Sequence, residues 1–505
     1  MFICREEVIV TENIVYENLK NITLMGIVFL LSTLSLSFAQ WEPDVRLTTD
    51  GNGSYTSYNN AWCIAASGDT LHVVWHDDRD TNEEIYYKRS TDAGTTWETD
   101  TRLTDDPNWS SIPSVTVSGE NVHVVWEDER DGNLEIYYKR STDGGASWET
   151  DFRLTDDIAP QGQPSVAVSG SYVHVVWGDF LMGGSGIYYR RSTDEGATWE
   201  TQVQICNAPG FSFGSCIAVS GSNVHVVWGD SRHGWTNNEI YYKRSSDGGA
   251  NWGAETRLTD DDNLSDGPSV AVLGDNVYVV WQDDRDANEE IYYKRSTDGG
   301  TIWETDTRLT DDPDGSWYPS VAVAGTNVHI VWQDDRDANE EIYYKRSTDG
   351  GTTWETDTRL TDDSDGSQYP SIAVSGTNIH VVWQDDRDAN WEIYYKRNPT
   401  GNPGIDESFS GVIGISGYLK ISPRPMRRNG VIEYAVLEKK SVSLVICDVS
   451  GRIVKTLFEG ERLPGCYSVS WDGSDDFEQL LPSGIYICIL KSGGNRGTEK
   501  ILIVR

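Results

Sequence analysis

Short runs in which apolar and polar residues alternate at every second position recur along most of this chain, always in the same order. One of them, Val122-His123-Val124-Val125-Trp126, ends on a tryptophan, and equivalent runs end at Trp75, Trp177, Trp228, Trp281, Trp332 and Trp383. Each is preceded by a run such as Pro268-Ser269-Val270-Ala271-Val272. Each is followed by one such as Ile291-Tyr292-Tyr293-Lys294-Arg295 and then, in all but the last unit, by one such as Trp303-Glu304-Thr305-Asp306-Thr307-Arg308-Leu309-Thr310. Val, Ile, Tyr, Trp and Thr fill these runs, and Gly, Asp, Asn and Pro separate them, which predicts four short strands per unit joined by turns. One unit therefore predicts one four-stranded antiparallel sheet.

An eight-residue motif, Ser-x-Asp-x-Gly-x-x-Trp, punctuates the units from Ser90 to Trp97, Ser141 to Trp148, Ser192 to Trp199, Ser245 to Trp252, Ser296 to Trp303 and Ser347 to Trp354. Its period of about 51 residues lies in the range where repeats build propellers, solenoids or arrays. The seventh unit runs from Tyr394-Tyr395-Lys396-Arg397 into Asn398-Pro399-Thr400-Gly401, so it lacks both the motif and the outer strand. The missing strand stands at the other end, as Trp41-Glu42-Pro43-Asp44-Val45-Arg46-Leu47-Thr48. Pairing it with the last unit would close the ring and protect the edges that an open array exposes. The expected fold is an all-β, seven-bladed β-propeller over residues 41–400 whose N-terminal strand completes the seventh blade.

The motif resembles the Asp-box, or BNR, repeat of sialidase-like β-propellers, over roughly residues 41–400. The resemblance implies that the box forms the turn between third and fourth strands, where Asp92, Asp143, Asp194, Asp247, Asp298 and Asp349 are structural and accept backbone N–H bonds. It also implies that this turn lies on the face away from ligands. The residue chemistry agrees: Asp and Ser bond local backbone, Gly takes a positive φ and Trp packs the turn onto the blade.

From about residue 417 the pattern changes to strands and turns consistent with a small Ig-like β-sandwich over 417–505, after a linker at 401–416. Val445-Ile446-Cys447-Asp448-Val449-Ser450-Gly451-Arg452, Trp471-Asp472-Gly473, Pro482-Ser483-Gly484-Ile485-Tyr486 and the terminal Lys500-Ile501-Leu502-Ile503-Val504-Arg505 resemble the FlgD-like immunoglobulin fold. In position and ending the segment is similar to the C-terminal sorting domain of the type IX secretion system. That resemblance implies export across the outer membrane of a Gram-negative bacterium through contacts of 417–505 with the secretion machinery. A plain spacer sandwich is the alternative.

Residues 1–40 read as leader and signal peptide. Ile27 to Phe38 is apolar, is too short for a membrane span and precedes a small-x-small site at Ser37 and Ala39. Glu6, Glu7, Glu12 and Glu17 do not suit a signal n-region, which places the natural start at Met25. No transmembrane segment is expected in the mature chain, and the expected location is the medium or the outer cell surface. The net charge of -39 disfavours nucleic acid and anionic membranes at long range. The cysteines show no metal-ligand spacing. Cys206 and Cys216 sit at opposite ends of neighbouring strands, beyond the roughly 7 Å reach of a disulfide unless the loop folds back.

Any site must differ from blade to blade, because catalysis needs different residues in different roles around one centre. His72, His123, His174, His225, His329 and His380 share one strand position that Tyr278 fills in the fifth unit, so they are expected to pack rather than react. Arg79, Arg130, Arg232, Arg285, Arg336 and Arg387 recur beside carboxylates, where bidentate pairing that pins a loop is expected. Calcium held by clustered oxygens, with Asp311-Asp312-Pro313-Asp314-Gly315 and Asp362-Asp363-Ser364-Asp365-Gly366, is the weaker alternative. No cofactor and no metal ligands are otherwise assigned. The repeat is most disturbed at Phe180-Leu181-Met182, at Pro209-Gly210-Phe211-Ser212-Phe213 and at Asp230-Ser231-Arg232-His233-Gly234-Trp235. Tyr55, Tyr58, Trp109, Trp317, Tyr318, Tyr369 and Trp391 fall in loops expected on the same face.

The ligand-binding candidates are Phe180, Phe211, Phe213, Asp230, Arg232, His233, Trp235, Trp317 and Tyr318. Sugar C–H faces would stack on the rings while hydroxyls donate to carboxylates, and a protein partner would suit the same surface. The expectation is a secreted or surface binding module for glycan or protein, without catalytic residues. The alternative is a glycoside hydrolase of exo-α-sialidase type, whose three arginines, Tyr-Glu nucleophile and Asp acid/base have no matching positions here, nor does its Arg-Ile-Pro signature.

Overall fold

The computed structural model describes residues 41–58, 62–180, 186–234 and 236–399, and, towards the C-terminus, 419–422, 430–436, 440–448, 452–462, 465–476, 479–492 and 495–503. The leader, Leu181, Met182, Trp235 and the linker at 401–416 lie outside them. Every regular element among the described residues is a strand.

Seven sheets follow one another along the chain. In blade 6 the order from the inside outward is Ser316–Ala324, Asn327–Asp334, Glu341–Ser347 and Thr358–Arg359, all antiparallel. Blades 2 to 5 repeat this arrangement. Blade 1 differs in that its inner strand is split into Ser54–Tyr55 and Ile64–Ser67, both paired with Thr70–Asp77. Blade 7 takes its fourth strand from the N-terminus, with Val45 opposite Tyr395 and Arg46 opposite Tyr394. The predicted seven blades and their closure are what the structure shows.

The core lies between blades rather than within them. The strand-ending tryptophans from Trp75 to Trp383 are fully buried, and the apolar cluster joining blades 5 and 6 takes Val280, Ile291 and Tyr293 from one side and Val321, Ile330 and Trp332 from the other. Burying each such side chain contributes roughly 1.5–3 kcal/mol before entropy. Alternation places these residues on the two faces of each sheet, and both faces are covered by neighbours.

The Asp boxes clasp successive blades together. Asp92 Oδ1 accepts the Thr96 N–H at 2.8 Å, and Asp143 Oδ1 accepts that of Ser147 at 2.8 Å. The Thr96 hydroxyl, at 2.7 Å from Oδ2, and the Thr96 N–H hold the exposed Asp92 carboxyl down at about 2. Gly145, at φ +85°, lies so near Tyr87 of the preceding blade that an added Cβ would come within 1.9 Å of its hydroxyl, and Trp148 meets the same ring edge-on at 4.8 Å. Arg89 Nη1 also donates to Gly144 O at 2.7 Å. The same contacts span the junction between last and first blades, where Arg397 Nη1 donates to Ala93 O at 2.7 Å and Trp97 meets Tyr395 at 4.9 Å. Blade 7 has no Asp box, and Trp41 fills the vacated place, edge-on to Tyr344 at 5.1 Å.

A second device fixes the loops between second and third strands. In blade 6 Asp334, fully buried, accepts the Trp332 indole at 2.8 Å and the Ser316 hydroxyl at 2.9 Å, and is gripped by Arg336 Nε at 2.7 Å and Nη2 at 2.6 Å. Arg336 also lies 4.4 Å over the Tyr343 ring and bonds Asp357 at 3.0 Å. This is the pinning by bidentate pairing expected from sequence. Blade 3, which has no arginine there, satisfies the Trp177 indole with Gln161 Oε1 at 2.7 Å instead.

The C-terminal residues form a three-stranded sheet (Leu419–Ser422, Gly430–Val436, Gly465–Trp471) and a four-stranded sheet (Ile453–Arg462, Lys440–Asp448, Gly484–Ser492, Asn495–Ile503). Ile432, Tyr434 and Trp471 of the first share a core with Leu444, Ile446, Cys488 and Leu490 of the second, which makes a sandwich.

Candidate functional site: the mouth opposite the Asp boxes

The Asp-box turns share one face with the tight turns between first and second strands. The opposite face therefore carries the starts of the inner strands, the ends of the second strands and the loops beyond them. At this mouth each blade contributes one cross-strand pair: Tyr55 with His76, Ser111 with Glu127, Gly162 with Gly178, Phe213 with Gly229, Asp266 with Gln282, Trp317 with Gln333 and Gln368 with Gln384. No other tier varies so much from blade to blade.

Directly after each pair from blade 2 onward the register slips, at a bulge whose residue is left-handed: Ile112, Gln163, Gly214, Gly267, Tyr318 and Tyr369, with φ of 51° at Tyr318 and 50° at Tyr369. For a bulky residue this conformation costs on the order of 1–3 kcal/mol, and such strain concentrates at ligand sites. The bulge is held from the preceding blade. Tyr318 N–H donates to Gln282 Oε1 at 3.0 Å, Tyr369 N–H to Gln333 Oε1 at 3.4 Å, Thr56 N–H to Gln384 Oε1 at 3.2 Å and Gln163 N–H to Glu127 Oε2 at 3.0 Å.

These side chains are linked in series. Tyr318 and Tyr369 have ring centroids 4.6 Å apart, and Tyr58 lies 6.4 Å from Tyr369. The Tyr58 hydroxyl bonds the Gln163 side chain, which in turn accepts the Gly214 N–H at 2.9 Å. Phe180 and Glu127 both crowd Gly162, while Phe213 and Asp266 both crowd Gly229, so these two glycines are the recesses that the neighbouring rings and carboxyls occupy.

Burial sets the electrostatics. It raises the Glu127 carboxyl to about 7, against the pull of its bonds from Gln163 N–H and Ser111 Oγ, and the carboxylates of Glu83 and Glu129 add to the rise. Burial likewise raises Asp266 to about 6. In blade 1 burial lowers His76 to about 4, and its ring stacks on Tyr55 at 5.3 Å. The tier thus offers aromatic faces, side-chain amides and two carboxyls that change charge near neutral pH.

Residues 117–330 match the BNR repeat-like domain. A stretch of 252 residues, 46% of this chain, is 28% identical to a xyloglucanase of Acetivibrio thermocellus and covers 24% of it, so the chain spans about a quarter of that relative's length. Among solved structures, similar folds are a polysaccharide lyase (TM-score 0.49, 10% identity, 72% of this chain and 100% of that one). Others are the α-L-arabinofuranosidase of Fusarium graminearum with arabinobiose (0.41, 16%, 55% and 89%) and the sialidase of Trypanosoma rangeli with an inhibitor (0.41, 10%, 80% and 85%).

Of the nine candidates, the propeller brings Phe180, Phe213, Trp317 and Tyr318 into the mouth tier. Phe211 lies beside it, exchanging backbone and hydroxyl bonds with Ser231 at 2.8–2.9 Å. Three others are engaged in the contacts that most blades repeat. Asp230 is fully buried and taken up by Trp228, Ser212 and Arg232, and Arg232 completes the repeated clamp over Tyr241 at 3.9 Å. His233 Nε2 meets the Tyr241 hydroxyl at 2.8 Å, the place that Asp80 takes towards Tyr86 in blade 1. The three belong to the scaffold, because a substitution that preserves the bond reads as disturbance in sequence without being one in space.

Glu127, Asp266, His76 and Gln163 were missed. For His76 and Glu127 a signal was available, since the residue after each repeated tryptophan changes from His to Glu to Gly to Gln while its neighbours stay constant. The repeated histidines are buried as expected: His72 Nδ1 meets the Tyr87 hydroxyl at 2.7 Å, and burial holds the ring down to about 3. Cys206 and Cys216 are both free thiols. Among the described residues no group of three or more His, Cys, Asp or Glu side chains is arranged to hold a metal ion, and no helix is long and apolar enough to cross a membrane.

Proposed function

We propose that this protein is a secreted or cell-surface glycan-binding propeller whose ligand sits on the mouth tier. The observation that carries the reading is that ring faces (Tyr58, Tyr318, Tyr369) and hydrogen-bonding side chains (Gln163, Glu127, Asp266) meet at the level where the blades differ most. Stacking faces beside amides and carboxyls suit sugars, whose C–H faces and hydroxyls need both. The likeness to a xyloglucanase supports a carbohydrate ligand. Export through the C-terminal sandwich is part of the proposal. Deleting 417–505 is expected to retain the chain inside the outer membrane, and surface display of the deleted form would refute that part.

Hydrolysis is the second reading, favoured by Glu127 and Asp266, whose raised values suit proton transfer near neutral pH. One experiment addresses both readings. The mature protein is tested on a glycan array and with fluorogenic sialosides and neutral glycosides. Retention without turnover is expected, and Trp317→Ala and Tyr318→Ala should each weaken it by on the order of tenfold or more. Turnover abolished by Glu127→Gln or Asp266→Asn would establish the enzyme instead, and retention indifferent to the aromatic substitutions would move the site elsewhere.

A further inference from the structure

The charge on the mouth face has one sign. Asp78, Glu83, Glu129, Asp284, Glu289 and Glu340 flank the tier, and none has an ion-pair partner among the described residues, whereas the arginines of the same loops are committed elsewhere. Arg79 reaches Asp77 at 2.5 Å and Asp100 at 2.9 Å, and Arg285 reaches Asp283 at 2.5 Å and Asp306 at 3.0 Å. Each of these arginines also lies over a third-strand tyrosine, Arg79 at 4.2 Å and Arg285 at 4.4 Å.

The consequence shows at the rings. The charged groups acting on Tyr58 are Glu127 and Glu83, those on Tyr55 are Asp78, Glu83 and Asp77, and those on Tyr318 are Asp266 and Glu289. The outer ring of Tyr86, by contrast, feels Arg79 and Arg102 as well. An independent observation points to a ligand at the same level. His76, 8% exposed, has a buried Nδ1 with no hydrogen-bond partner among the described residues, although its tier position is where Glu127, Gln282, Gln333 and Gln384 each accept a backbone N–H. Burial keeps this imidazole neutral at pH 7, so the ring can accept a proton donor.

We propose that the mouth selects glycans bearing protonated amines, of the glucosamine-oligomer type, over neutral and anionic sugars; this rests on the reading of the mouth as a glycan site. Carboxylates of the tier and its rim would meet the ammonium groups, the tyrosine faces would take both sugar C–H surfaces and cations, and an anionic sugar would meet only like charge.

The test is calorimetric titration of the mature protein at neutral pH with a glucosamine hexamer, its fully N-acetylated counterpart and sialyllactose, at low and high salt. The expected result is glucosamine binding tighter than the acetylated form by on the order of tenfold, narrowing at high salt as screening grows, with sialyllactose weakest. Asp266→Asn and the double change Tyr318→Ala with Tyr369→Ala should each reduce glucosamine binding, with a single cooperative melting transition showing that the variant is folded. Equal or tighter binding of the acetylated form, or of a neutral glycan from the array, overturns the amine selectivity while leaving the glycan site standing. Glucosamine binding unaffected in both folded variants shows attraction to the acidic surface at large and also overturns it. No binding of any glycan overturns this inference and the glycan reading together.

Discussion

Removal of residues 41–48 is expected to abolish the cooperative unfolding transition of the propeller, or to lower its midpoint by ten degrees or more. The segment is the fourth strand of blade 7 and ties three blades at once. Leu47 is 3% exposed, its N–H donates to Ile393 O at 2.7 Å, and its carbonyl accepts Lys88 of blade 1. Arg46 pairs at 2.5 Å with Glu392, which is fully buried, and Asp44 receives Arg387 at 2.9 Å and Lys396 at 2.8 Å. Trp41 covers Tyr344 of blade 6. Losing one buried leucine costs roughly 2–5 kcal/mol, and stripping the partner from a buried carboxylate about 3–5 kcal/mol. The sum rivals the whole stability of a typical domain, about 5–15 kcal/mol, and it leaves an unpaired sheet edge that invites association. Differential scanning calorimetry of the 49–505 chain beside the 41–505 chain measures this, and a transition unchanged within two degrees would mean that the ring does not depend on its N-terminal strand.

Glu127→Gln is expected to stabilise the protein in alkaline buffer and to leave it nearly unchanged in acid. Burial raises this carboxyl from its ordinary 4.5 to about 7 in the folded chain. A raised folded value means that the native state prefers the protonated form. Its favourable contribution is therefore complete below pH 4.5 and is lost as pH rises through 7. Integrated over that interval the loss comes to about 3 kcal/mol. Glutamine cannot ionise, and it is the residue that blades 5 to 7 place at this position, where Gln282, Gln333 and Gln384 accept a backbone N–H of the next blade. The same bond to Gln163 N–H would survive in the variant. Chemical denaturation at pH 4.5 and pH 8.5 should show the variant ahead by about 2–3 kcal/mol only at the higher pH, and a gap independent of pH would contradict the assignment.

The fold was legible because the same alternation was written seven times. A single copy of Val-His-Val-Val-Trp is compatible with many sheets, but seven in register, with an orphan Trp41-to-Thr48 strand at one end and a strand missing at the other, leave little freedom of topology. The site was half legible. Trp317, Tyr318 and Phe213 stood out as aromatics in loops, whereas Asp266 did not, since one more acid in a chain of this composition carries no signal until its burial between blades is known. His233 is the opposite case, since it replaces an aspartate yet makes the equivalent bond to a third-strand tyrosine. Sequence reports which residues change, and only packing reports whether the change alters a contact.

Hydrogen exchange of the mature protein, with and without the glycan best retained on the array, tests most directly whether ligand contact is confined to the level where the blades disagree. Added protection is predicted in peptides that begin the inner strands, at 54–58, 161–164, 265–268, 316–319 and 367–370, with the Asp-box peptides unchanged. Protection spread over the turns around Asp92, Asp143, Asp194, Asp247, Asp298 and Asp349, with none at Tyr318 and Tyr369, would contradict it.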